Sequence, residues 1–166
     1  MIHIPDTILE EIFSHARSES PDEVCGWLAG SLRHGFAERN GGGRGVEGLN
    51  PRVMRFESQP RDSLVEKAYS IPNIAGEPKS RFVMEPEAQI SAMRKVRELG
   101  LELVGTYHSH PGSPARPSEK DRELALYPDL AHLIVSLAEY RPSFRCWWIA
   151  EGGIVEVEVE RGGRLV

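Results

Sequence analysis

Apolar side chains recur at Ile8, Leu9, Ile12, Phe13 and Ala16, the spacing of a helix with one buried stripe. Asp6, following Pro5, is expected to cap that helix, and residues 18–21 to end it. The next apolar run, Val24-Cys25-Gly26-Trp27-Leu28-Ala29-Gly30, has the length and continuity of a buried strand. Beyond a Gly-rich stretch over 40–48, which reads as a loop, strands are expected over 53–56, 64–71 and 81–84, separated by Pro and Gly. Glu85 and Pro86 open a second helix that turns Ala88, Ala92, Val96 and Leu99 to the core and stops at Gly100. Further strands are expected over 101–109, 131–137, 144–150 and 154–160, with a short helix over 118–127 and a turn at Glu151-Gly152-Gly153. Within 144–150, alternation sends Trp147 and Trp148 to opposite faces, one filling the core and the other facing outward.

The chain has 166 residues, a length that fits one domain over 1–166 with a single sizeable core. Hydrophobic residues make up 40% and charged residues 27%, a balance that suggests neither disorder nor a membrane class. No apolar run approaches the roughly 20 residues of a spanning helix, and the start lacks a basic segment leading into an apolar one, so a cytoplasmic location is the default expectation. A net charge of -5 and a pI near 5.7 argue against a broad phosphate-binding surface, hence against nucleic acid as the main partner. The glycine loop lacks the Gly-Lys-Ser/Thr ending of a phosphate cradle. Cys25 and Cys146 are far apart and outside any CxxC spacing, so a metal would be held by nitrogen and oxygen.

The chemistry gathers in His108-Ser109-His110-Pro111-Gly112-Ser113-Pro114-Ala115-Arg116-Pro117-Ser118-Glu119-Lys120-Asp121. On a strand, residues two apart share a face, so His108 and His110 present two imidazoles to one point. The Pro-rich connection leads into a helix whose first turn carries Asp121. Two nitrogens and a carboxylate oxygen suit zinc in a catalytic site, where three protein ligands leave a fourth position for water. A capping box would also explain Ser118 with Asp121, but it leaves the histidine pair unaccounted for. Ser109 points to the opposite face and reads as structural. His3, His15, His34 and His132 have no partner at ligand spacing and read as packed or exposed. Cys25 beside Gly26 reads as a small buried residue more readily than as a nucleophile, and Glu23 alone would be a solvated charge between helix and strand.

These residues resemble the JAMM (MPN-plus) zinc metallopeptidases, in their prokaryotic single-domain form. That family's motif is a distant Glu, then His-x-His, a spacer and Ser-x-x-Asp, matched here by His108, His110, Ser118 and Asp121. Its upstream pattern is matched by His15-Ala16 and by Pro21-Asp22-Glu23-Val24-Cys25-Gly26-Trp27-Leu28-Ala29-Gly30. The resemblance runs from Ile4 to Val159, with the stretch around 41–48 unaligned. It implies an α/β fold, a curved mixed β-sheet flanked by helices and akin to cytidine deaminases, with the site at the end of the 101–109 strand. It implies one zinc ion per chain held by His108, His110 and Asp121. Glu23 would be the base that takes a proton from the activated water and passes it to the leaving amine, and Ser118 the donor to the oxyanion.

The resemblance further implies hydrolysis of peptide or isopeptide bonds at the C-terminus of ubiquitin-like or sulfur-carrier proteins, adducts with amino acids included. The chain has no room for the insertions with which larger members grip two ubiquitins. The alternatives are a non-catalytic scaffold of the same fold, a zinc deaminase, disfavoured because no Pro-Cys-x-x-Cys is present, and a cysteine peptidase using Cys25. The oligomeric state stays open, a homodimer included. The tail carries Gly162-Gly163, which reads as a turn or frayed end; self-processing after Gly163 is the other reading.

Overall fold

The computed structural model describes residues 1–33, 61–150 and 153–162. The Gly-rich stretch, the strand expected over 53–56, His34, Glu151, Gly152 and Gly163 lie outside the described residues. Among the described residues, eight strands form one sheet in the order β7-β6-β5-β4-β2-β3-β1-β8. The strands are β1 (Ile2–Ile4), β2 (Cys25–Leu32), β3 (Ser63–Ile71), β4 (Glu102–His110), β5 (Ala131–Ser136), β6 (Ser143–Ala150), β7 (Gly153–Val157) and β8 (Val159–Arg161). The sheet is mixed: β4 runs parallel to β5 and β1 parallel to both β3 and β8, whereas the other pairs are antiparallel. The expected α/β sheet flanked by helices is therefore present. The strand expected over 154–160 is two strands that pair at opposite edges, and β1 had no periodic signal because three residues are too few to show one.

Helix α1 (Asp6–Glu19) buries Ile8, Leu9, Ile12, Phe13 and Ala16 as the spacing predicts. They pack against Val65, Leu133, Val135 and Cys146 on one face of the sheet. Asp6 does not cap it: Pro5 is the N-cap position and no side chain bonds there. The Asp6 carboxylate instead accepts from Arg161 on β8 at 2.8 Å.

Helix α2 (Pro86–Glu98) is capped by Glu85, whose carboxylate accepts from the amides of Glu87 and Ala88. It packs Ala92 against Trp27 and Ile71 on the other face. Leu99, expected in the core, is the C-cap residue and is 54% exposed. Residues 81–84 form one isolated bridge, Asn73 to Met84, rather than a strand. Helix α3 is only Glu119–Glu123, shorter than the 118–127 expected. Both Trp147 and Trp148 are buried, because loops cover both faces of β6: Trp147 donates to the Ala115 carbonyl at 2.9 Å and Trp148 to that of Pro128 at 2.7 Å.

Candidate metal centre

Strand β4 lies between β2 and β5 and is buried from Val104 to His110. His108 and His110 emerge on one face at its carboxyl end, with their Nε2 atoms 3.1 Å apart. Asp121 reaches them from α3, its Oδ1 at 3.3 Å from His108 Nε2 and its Oδ2 at 3.2 Å from His110 Nε2. All three side chains are buried, and their candidate ligand atoms lie within 4.8 Å of one another. Among the described residues no other group of three His, Cys, Asp or Glu side chains converges in this way.

The connector from β4 to α3 is held at three successive carbonyls. Ser136 donates to Ser113 at 2.7 Å, His110 Nδ1 to Pro114 at 3.0 Å and Trp147 to Ala115 at 2.9 Å. Since a carbonyl only accepts, the His110 bond places that ring's hydrogen on Nδ1 and leaves the Nε2 lone pair facing the cluster. Phe82 lies against the other imidazole, its ring centroid 4.6 Å from that of His108.

The capping box is also present. Ser118 N–H donates to Asp121 Oδ2 at 2.6 Å and Asp121 N–H to Ser118 Oγ at 3.2 Å. Capping and convergence on the histidines are thus not alternatives: one carboxylate closes the helix and faces both rings. Burial alone would raise the Asp121 carboxyl, but the facing imidazoles of His108 and His110 and the hydrogen bond from Ser118 hold it well below the usual carboxylate range.

Glu23 arrives by register. Cys25 pairs with His108 across β2 and β4. One residue on, Val24 N–H donates to Ser109 Oγ at 2.9 Å and Ser109 N–H to the Val24 carbonyl at 3.0 Å. Continuing that antiparallel alternation sets Glu23 opposite His110, on the face of the two imidazoles. Glu23 is therefore not a solvated charge: it is 8% exposed, and its Oε2 is buried with no hydrogen-bond partner in the protein. Burial pushes its carboxyl up to about 7, with His110 opposing and Asp121 adding to the shift. Ser109 has the structural role expected, pinning Val24 beside the histidines.

A divalent cation fits these residues. A lone pair on His110 Nε2, the His108 Nε2 and a carboxylate converge at 3.1–3.3 Å, two nitrogens and an oxygen that one divalent cation can hold together. The orphaned Glu23 oxygen marks a second acceptor able to take a bound water. Beside the cluster lies an apolar cavity of about 180 Å³ lined by Phe82, Met84, Leu124, Leu126, Tyr127 and Ile149.

Other candidates fall away. Cys25 is buried, its thiol donates to the Ile71 carbonyl at 3.4 Å, and burial pushes it up to about 12, so it is not a thiolate near neutral pH. His3 pairs with Asp62 and Glu160 at the far edge of the sheet, and His15 is hydrogen-bonded to the Tyr107 hydroxyl at 2.9 Å. His132 sits buried against Thr106 at 3.1 Å. Sequence reasoning missed Phe82 and Asn73, which sit in a loop with no period to betray them; the Pro72-Asn73 pair signals only a turn.

The fold and this site define a JAB-type domain. A family model described as prokaryotic homologs of the JAB domain matches residues 5–150, and the chain belongs to that family. It is 33% identical over 131 residues to a desampylase of Haloferax volcanii, covering 76% of this chain and 74% of that one. It is 28% identical over 153 residues to a CysO-cysteine peptidase of Mycobacterium tuberculosis, covering 92% and 85%. A solution structure of a Desulfitobacterium hafniense protein superposes with a TM-score of 0.77 at 32% identity, covering 99% and 95%.

Proposed function

We propose that the chain is a zinc-dependent peptidase of a single catalytic domain, which cuts peptide or isopeptide bonds at the C-terminus of ubiquitin-like or sulfur-carrier proteins. The observation that carries this reading is the burial of two imidazoles and a carboxylate around one point, with Glu23 set opposite His110. The relatives' names, a desampylase and a CysO-cysteine peptidase, supply the substrate class.

His108, His110 and Asp121 would hold the ion; two nitrogens and one oxygen are a zinc donor set. When bound, zinc supplies Lewis-acid polarisation of the scissile carbonyl and acidifies a water molecule. Glu23 Oε2 would take a proton from the attacking water as its oxygen bonds to the carbonyl carbon, and would return that proton to the leaving amine as the bond from carbon to nitrogen breaks. Burial raises the Glu23 carboxyl in the metal-free site, which makes it a stronger base than an exposed carboxylate. Ser118 Oγ already accepts from the Asp121 amide, so its own hydrogen is left to donate to the carbonyl oxygen as charge develops there.

The test is a fusion in which a sulfur-carrier protein ending in diglycine is joined to cysteine or, through lysine, to a second protein. Zinc-loaded enzyme should cut after the diglycine, lose activity to a chelator and regain it with zinc. A zinc-loaded protein that cuts none of these fusions would overturn the reading in favour of a scaffold.

A further inference from the structure

The segment 72–85 joins β3 to α2, and one amide organises it. Asn73 Nδ2 donates to the Glu23 carbonyl at 2.8 Å and to the Arg81 carbonyl at 3.1 Å. Its Oδ1 accepts from Val83 N–H at 2.9 Å and from Ala75 N–H at 3.0 Å. A primary amide has two donor hydrogens and two acceptor lone pairs, so this side chain is fully used. Arg81 and Val83 flank Phe82, the residue whose ring lies against His108. The same segment also holds the other polar group of Glu23's backbone, whose N–H donates to the Pro78 carbonyl at 2.7 Å.

Glu23 precedes β2, so no ladder bond fixes its backbone; the hold passes to this segment. Freed from it, Glu23 keeps its side chain but loses its aim. Phe82, gripped on either side by the same amide, would at once loosen behind His108.

We infer that Asn73 is a positioning residue for hydrolysis, its amide tying the Glu23 backbone and the Phe82 platform of His108 into one rigid unit. This rests on Glu23 being the base. Asn73 is not one of the three candidate ligands and reaches the apolar cavity only through the backbone of Val83 and Met84, whereas it bonds Glu23 directly, so its loss should fall more heavily on turnover than on substrate or metal binding. A displacement of the order of 1 Å in a reacting group can cost about 10²-fold in rate.

The test uses the full chain loaded with zinc and two variants, Asn73→Ala and Asn73→Asp. The aspartate keeps the size and the two acceptor contacts, but sets an oxygen against the carbonyls of Glu23 and Arg81. Both variants should keep wild-type metal content, lower kcat by about 10- to 100-fold and leave KM within about threefold. Amide exchange at Glu23 should quicken by about tenfold or more in both, and at Val83 in Asn73→Ala, which alone removes the acceptor of that N–H. Ser80→Ala, which removes only a loop-tip contact with Lys120, should leave kcat and exchange at Glu23 unchanged. Unchanged exchange at Glu23 in Asn73→Ala overturns the inference whether or not turnover is measured. So does faster exchange with wild-type kcat, a rise in KM alone, or an equal fall of kcat in Ser80→Ala. A zinc-loaded wild type that cuts no substrate, with exchange quickened by Asn73→Ala, would instead remove the peptidase reading and keep the tie.

Discussion

His108, His110 and Asp121 come from one short stretch of chain, whereas Glu23 reaches the same place from the far side of β2. The first three are aimed largely by their own neighbourhood, a strand face and a helix cap made by one of the candidate ligands, with the connector between them bonded at three successive carbonyls by His110 itself and by Ser136 and Trp147 on the adjoining strands. Glu23 has no such local frame. Its position depends on Ser109, Asn73 and Pro78, all distant in sequence. Metal affinity should therefore be set locally, and turnover by contacts across the fold.

The largest effect should come from Asp121→Asn, which keeps an oxygen able to accept from the Ser118 amide but removes the carboxylate charge. We expect loss of stoichiometric zinc and of measurable turnover, with the metal-free protein's melting temperature little changed; elemental analysis and thermal melts would check it. If the metal-free protein unfolds instead, the cap and the cation site are not separable. Glu23→Gln should divide the two regions: full metal content, with kcat reduced by about 10²- to 10⁴-fold. A variant that loses zinc as well would show Glu23 to belong with the ligands.

Ser109→Ala should be smaller. It strands the buried Val24 N–H at a cost of about 1–3 kcal/mol and, by loosening Glu23, should lower kcat more than metal affinity. Denaturant melts and zinc titration would separate the two. The smallest effect on turnover, though not on stability, concerns the buried floor of the apolar cavity. Burial holds His132 down at about 4, below its unfolded value of about 6.5. The unfolded chain thus takes up a proton first as pH falls. Stability is fully present at pH 7, declines from about 6.5 and levels off near 4, a loss of the order of 3 kcal/mol. The stability of metal-free wild type minus that of His132→Asn, followed against pH, should show that decline; a flat difference would refute it.

The same contrast explains what could be read from the residues in advance. The candidate ligands were legible because strand alternation and a helix start are local rules, and α1 was legible because five apolar positions share one stripe. Whether Glu23 met them depended on a register that a single sequence does not display. Helix α3 came out shorter because Leu124 already caps it at five residues, and residues 81–84 took their geometry from Asn73 rather than from alternation. Trp148 was misjudged because alternation tells which face a side chain takes, not whether that face is covered. Gly26 seemed only part of a motif, yet a Cβ there would meet the Tyr69 carbonyl and the Tyr107 ring.

The placement of β8 bears on the diglycine at the end of the chain. Strand β8 is four positions from β4 in the sheet, about 19 Å at the usual inter-strand spacing, and Arg161 moors it to Asp6. Gly163 is one residue beyond the last described position, and a residue extends the chain by at most about 3.6 Å. Intramolecular cutting at that bond would require β8 to peel away from β1, so any trimming of the tail should be second order in protein concentration.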